Sequence, residues 1–80
     1  MITFDIRLSK MDDVRRFVAI TSASPVDVDL AAGRYLVDAK SIMGIFSLDL
    51  TKPITLEAHT EDDTSLESEL EPFIFKEDVE

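Results

Sequence analysis

The sequence predicts an α+β open-faced β-sandwich: a four-stranded antiparallel sheet with three helices on one face, in the order β-α-β-β-α-β-α. Three observations lead there. Four short segments alternate apolar with polar residues, so each strand has one face to bury and one for water. Between and after them, apolar residues recur with the spacing of a helix. The chain has 80 residues, near the size at which one core only just suffices, so 1–80 is a single domain. A sheet that is apolar on one side needs a layer of helices to cover that side.

Residues 2–8 place Ile2, Phe4, Ile6 and Leu8 on one face and Thr3, Asp5 and Arg7 on the other, as in a half-buried strand. Ser9 followed by Asp12 reads as a helix start with an acidic first turn. Val14, Phe17, Val18 and Thr21 fall at i, i+3, i+4 and i+7, giving an amphipathic helix over about 11–22. Ser22–Pro25 closes it, because the residue before a proline is biased away from helix. Val26, Val28 and Leu30 alternate with Asp27 and Asp29 as a second strand. In Ala31-Ala32-Gly33-Arg34, Gly33 can adopt a positive φ and turn the chain. Tyr35–Ala39 is then the third strand, and 26–39 a hairpin.

Lys40–Leu50 reads K-S-I-M-G-I-F-S-L-D-L, and Ser41 can cap a short helix beginning at Ile42. On a helical wheel, Ile42, Met43, Ile45, Phe46 and Leu48 sweep an apolar arc of roughly 220°. One core contact needs an arc of only a little over ~100°. Ile45 and Leu48 lie on the core side; Ile42, Met43 and Phe46 form a surplus apolar patch, an interaction surface beside a modifiable serine. Gly44 lowers helix propensity by about 1 kcal/mol relative to Ala; approach of a partner and packing on the sheet explain it equally well. After the connection Leu50–Pro53, Ile54, Leu56 and Ala58 alternate with Thr55, Glu57 and His59 as a fourth strand. Asp62 or Asp63 can cap a last helix carrying Leu66 and Leu70. Pro72 ends or kinks that helix; Phe73, Ile74 and Phe75 fold back on the core, and Lys76–Glu80 is expected to fray.

Composition narrows the function. With no cysteine, disulfides, zinc–thiolate sites and thiol catalysis are excluded. Seventeen acidic residues against eight Lys and Arg give a net charge of −9. That disfavours direct binding of nucleic acid or an anionic membrane and favours partners with basic patches. No apolar run reaches membrane-spanning length and the N-terminus lacks a signal-peptide layout, so a soluble cytoplasmic protein is expected. The one histidine, His59, cannot make a metal site alone. No metal or cofactor is expected.

K-S-I-M-G-I-F-S-L at Lys40–Leu48 resembles the regulatory-serine segment of HPr, the histidine-containing phosphocarrier of the bacterial sugar phosphotransferase system. V-D-V-D-L-A-A-G-R at Val26–Arg34 resembles that family's hairpin with its Gly turn, and the element order and size match. The likeness covers most of the chain and is specific over 26–58. In the family, a histidine in a G-[apolar]-H-x-R-P type motif opens the first helix and carries the phosphoryl group. A helix N-terminus suits this task, with its unpaired N–H groups and partial positive charge, and a nearby Arg adds charge-assisted bonds. Ungapped alignment puts Lys10 at the histidine, Asp12 at the arginine and Asp13 at the proline. Each carboxylate would oppose a phosphoryl dianion by about 1 kcal/mol or more.

The resemblance therefore implies a member like the Crh branch, with no catalytic residue and no histidine phosphotransfer at this position. His59 is expected as a solvated strand-end residue without a surrounding constellation, and Arg15 and Arg16 as solvated residues on the helix's polar face. The family's phosphorylated serine falls on Ser41, in the family the target of HPr kinase/phosphorylase. The family's docking patch, which binds enzyme I and in Gram-positive bacteria the catabolite repressor, falls on Ile42, Met43 and Phe46. The family's arginine near the phosphoserine is replaced by Asp12, so a partner must supply that positive charge. The implied function is a regulatory or interaction protein whose partners are HPr kinase/phosphorylase, a catabolite regulator or other phosphotransferase components. Two alternatives stay open: an active phosphocarrier with a non-standard acceptor, and an HPr-fold scaffold for an unrelated partner.

Overall fold

The alternating segments pair into one antiparallel sheet. In the computed structural model, which describes residues 1–61 and 64–75, the strands are β1 (Ile2–Ile6), β2 (Val28–Ala32), β3 (Tyr35–Asp38) and β4 (Ile54–Ala58). Their spatial order is β1-β4-β2-β3. The helices are α1 (Met11–Ala23), α2 (Ile42–Phe46) and α3 (Thr64–Glu69), followed by a 3₁₀ turn over Glu71–Phe73. The strands are antiparallel, and the helices supply the other half of the core, as expected for the open-faced α+β class.

Register explains the core. Leu56 at the middle of β4 stands opposite Phe4 on one side and Leu30 on the other, and Leu30 in turn opposes Val37. These side chains share one face, where Val14 and Phe17 of α1, Ile45 of α2, and Leu66 and Leu70 close over them. Phe17 meets Phe73 edge to face, with ring centroids 5.9 Å apart. Such a pair adds about 0.5–1.5 kcal/mol beyond its buried area and pins the end of the described chain to α1.

Several boundaries move. β1 ends at Ile6 rather than residue 8, because the Arg7 amide donates to the Phe73 carbonyl at 2.8 Å instead of extending the ladder with β4. Leu8 is nonetheless fully buried. β2 begins at Val28, since the Val26 amide donates to Ser24 Oγ at 3.2 Å. β3 departs from strict alternation. It is an edge strand, and Tyr35 and Leu36 are 68% and 61% exposed, with Leu36 on the otherwise polar open face.

Gly33 has φ 61 and is the one described residue with positive φ. The Ala32–Tyr35 pair closes a two-residue loop around it, the pattern of a type II′ turn. Pro72 does end the last α-helix, which gives way to the 3₁₀ turn. The tail then folds back as anticipated: Ile74 bridges Ile6, and the Phe75 amide donates to the Asp5 carbonyl at 2.9 Å. These bonds cover the edge of β1 that β4 leaves open, where unpaired backbone groups would otherwise invite another strand. The proposed caps Asp62 and Asp63, and the expected fraying of Lys76–Glu80, lie outside the described residues.

Candidate functional site

The loop entering α1 is built around one carboxylate. Lys10, not Ser9, is the N-cap, with φ −130 and ψ 156. Asp13, in the third helical position, reaches back so that its Oδ2 accepts from the Ser9 amide (3.2 Å), the Ser9 hydroxyl (3.1 Å) and the Lys10 amide (3.2 Å). This is the carboxylate half of a capping box. Ser9, read from the sequence as the start signal, donates to the cap instead of accepting as one. Burial opposes ionisation of Asp13, but hydrogen bonds from Ser9, Arg16 and Lys10 outweigh it and hold the carboxyl below its usual range. A carboxylate bonded to the Ser9 and Lys10 amides thus already places negative charge at this helix end.

Arg16 completes the arrangement. Its Nη2 donates to Asp13 Oδ1 at 3.1 Å, its Nε lies 3.5 Å from Asp12, and its guanidinium sits over the Phe73 ring at 5.8 Å. Arg15 contacts the Met11 sulfur at 3.7 Å. Both arginines are exposed on the polar face as expected, and Arg16 adds ion pairs there; its spacing of three and four residues from Asp13 and Asp12 was a legible signal for them.

The second part is the Ser41 segment. After β3 the chain turns on Asp38, whose carboxylate accepts from the Lys40 amide (2.9 Å) and whose carbonyl accepts from the Ser41 amide (3.0 Å). Ser41 takes the extended conformation of an N-cap, and its Oγ accepts from the Gly44 amide at 3.1 Å. Ile45 and Leu48 enter the core. Of the apolar trio, Met43 is 76% and Phe46 41% exposed, while Ile42 is half-buried against the core. The exposed surface is therefore narrower than the wheel suggested, with Ile42 at its margin. A Cβ on Gly44 would come within 3.3 Å of both Ser41 Oγ and Val37 Cβ, so packing on β3 explains that glycine.

The segment is tied to the C-terminal half of α1. Thr21 is fully buried, and its hydroxyl donates to the Ala39 carbonyl at 2.8 Å. The Lys40 ammonium donates to the carbonyl of Ser24, the α1 C-cap, at 3.0 Å. A cation is favourable at a helix C-terminus. Sequence reading counted Thr21 only as a member of the apolar stripe; a hydroxyl on a core stripe was the available signal that a buried polar partner exists.

His59 is not isolated. Its Nε2 lies 2.8 Å from Asp29 Oδ2, and an open cleft there is lined by Asp27, Asp38 and Lys40 as well. Period-two alternation put Asp29 and His59 on polar faces, but only the pairing of β2 with β4 brings them together. Since Ile2 opposes Ala58 and Ile6 opposes Ile54, His59 lies at the end of the sheet away from the loop into α1. Among the described residues no group of three or more His, Asp or Glu is placed to hold a metal ion. No described helix is long and apolar enough to cross a membrane.

No protein-family model matches the chain, and no curated protein matches it in sequence. Among solved structures, the crystal structure of HPr-C-His from Thermoanaerobacter tengcongensis is similar to it. The two superpose with a TM-score of 0.71 at 25% identity, over 89% of this chain and 85% of that one. The chain has the HPr fold, and the likeness supports a relationship to HPr.

Proposed function

We propose that this HPr-fold chain is a non-enzymatic regulatory docking protein and not a carrier of phosphoryl groups on histidine. One observation carries the reading: the Ser9 and Lys10 amides at the entry to α1 are taken by the Asp13 carboxylate, and Asp12 adds a second carboxylate at the same end. A phosphoryl group there would have to displace a bonded carboxylate and remain next to negative charge. Lys10, which takes the N-cap position, has no imidazole to accept it.

The binding surface is the apolar face of Ile42, Met43 and Phe46, and its switch is Ser41. Phosphate on Ser41 would stand at the N-terminus of α2, where backbone N–H groups favour an anion, directly beside the exposed Met43 side chain. The partners are proteins of the phosphotransferase system: HPr kinase/phosphorylase, a catabolite regulator, or other components that bind HPr-like surfaces. The cytoplasm is the setting this role requires. A second reading, an active carrier with a non-standard acceptor, draws on the Asp29–His59 pair, because a carboxylate can orient an imidazole.

Two incubations test both. With enzyme I and phosphoenolpyruvate, the protein is expected to gain no acid-labile phosphate; such phosphate on His59 would establish the carrier. With HPr kinase and ATP, the mass is expected to rise by one phosphate, lost in Ser41→Ala. No addition, or one that persists in the variant, removes the switch.

A further inference from the structure

We propose that the groove between the β2–β3 hairpin tip and the α2–β4 connection binds a small ring-bearing phosphate monoester. Its walls include Ala32, Arg34, Tyr35, Ser47, Asp49 and Lys52, and its volume is about 460 Å³, within the range of small-molecule sites, about 300–1,000 Å³. It is separate from the Ser41 cap and from the opening of α1.

Three features define the ligand. Arg34 and Lys52 line the groove, and among the described residues neither side chain makes a hydrogen bond or an ion pair at contact distance. In a chain with 17 acids and 8 Lys and Arg, two cations on one concave wall stand out, although the Lys52 charge already acts on Asp49 and helps hold that carboxyl below its usual range. A phosphate head satisfies both, Arg through its planar fork and Lys as a point charge. Tyr35 supplies the second feature. It shares a face with Val37, on the helix side of β3, and its ring is largely exposed at the groove wall, a flat surface on which a ligand ring can stack.

Asp49 is the third. Its Oδ1 accepts from the Thr51 amide (3.0 Å) and hydroxyl (2.5 Å). The wall thus carries two cations against one carboxylate, a net positive charge that attracts a single phosphate head and only partly neutralises it, and that is unfavourable for a polyphosphate. Asp49 Oδ2 remains available to accept from a hydroxyl on the ligand ring.

The test uses phenyl phosphate, inorganic phosphate and phenol as separate probes, followed by two-dimensional amide NMR on the full chain. Phenyl phosphate is expected to give saturable shifts confined to residues 32–35 and 47–53, half-complete near about 1 mM, with inorganic phosphate and phenol each about fivefold weaker. Arg34→Gln combined with Lys52→Gln is expected to weaken binding about tenfold, and Tyr35→Leu about threefold, with dispersed spectra showing that each variant is folded. Absence of saturable shifts, shifts centred on α1, equal binding of inorganic phosphate, or undiminished binding by the double variant would each overturn the proposal.

Discussion

Ser41 is the residue on which the fold and the proposed switch both depend, and Ser41→Ala separates the two. In the folded chain Ser41 Oγ accepts the Gly44 amide at 3.1 Å, one of the few bonds holding a helix of five residues. A helix so short has no stability of its own in water, so it relies on this cap and on Ile45 in the core. Replacing an N-cap serine with alanine costs about 1 kcal/mol, within a range of about 0.5–2. For a domain of this size, about 1 kcal/mol lowers Tm by about 4–8 °C. Thermal and urea unfolding of Ser41→Ala should show that loss at unchanged m, and the Gly44 amide should exchange faster. Ser41→Thr and Ser41→Asp retain an acceptor oxygen and should return to within about 2 °C of the parent. A Tm for Ser41→Ala within about 1 °C of the parent, or an equal loss in Ser41→Asp, would refute the argument. The comparison also protects the phosphorylation assay, since it shows that an unmodified Ser41→Ala protein is folded and merely lacks the acceptor.

Other perturbations follow from the same contacts. Thr21→Val keeps the shape of a fully buried side chain but removes the hydroxyl that bonds the Ala39 carbonyl; urea unfolding should show a loss of about 1–3 kcal/mol. Lys40→Met removes the ammonium from the C-cap of α1 and should cost about 0.5–1 kcal/mol at low salt, the difference shrinking as salt rises. Asp13 has a folded pKa below its unfolded value, so its contribution is present above the unfolded carboxylate pKa and lost as pH falls through the folded one. The stability gap between the parent and Asp13→Asn should therefore be constant near neutrality and close progressively below about pH 4, as acid titrations of both proteins would show.

What was legible in the sequence is what neighbouring residues decide among themselves. Period-two alternation located β1, β2 and β4, a helical stripe located α1 to within a residue, Gly33 marked the one positive φ, and Ser41 and Pro72 marked a helix start and a helix end. The width of the apolar arc likewise separated Ile45 and Leu48 from Met43 and Phe46, because helical geometry puts them on different sides whatever surrounds them. The cap of α1 was harder. Ser9 with Asp12 and Lys10 with Asp13 both offer a carboxylate three residues on, and choosing between registers one residue apart depends on how β1 delivers the chain to the helix.

Tertiary structure alone decided the rest. The strand order β1-β4-β2-β3 joins Asp29 to His59 across thirty residues, carries Tyr35 and Lys52 to one groove, and lays Ile74 and Phe75 along β1. Those contacts come from burying one shared core, and no local repeat of two or 3.6 residues encodes which distant partner a strand will choose. Sequence therefore determined the elements and the capped, half-exposed α2. The packing of those elements determined that Asp13 takes the Ser9 and Lys10 amides at the entry to α1, and it brought Arg34, Lys52 and Asp49 to one wall.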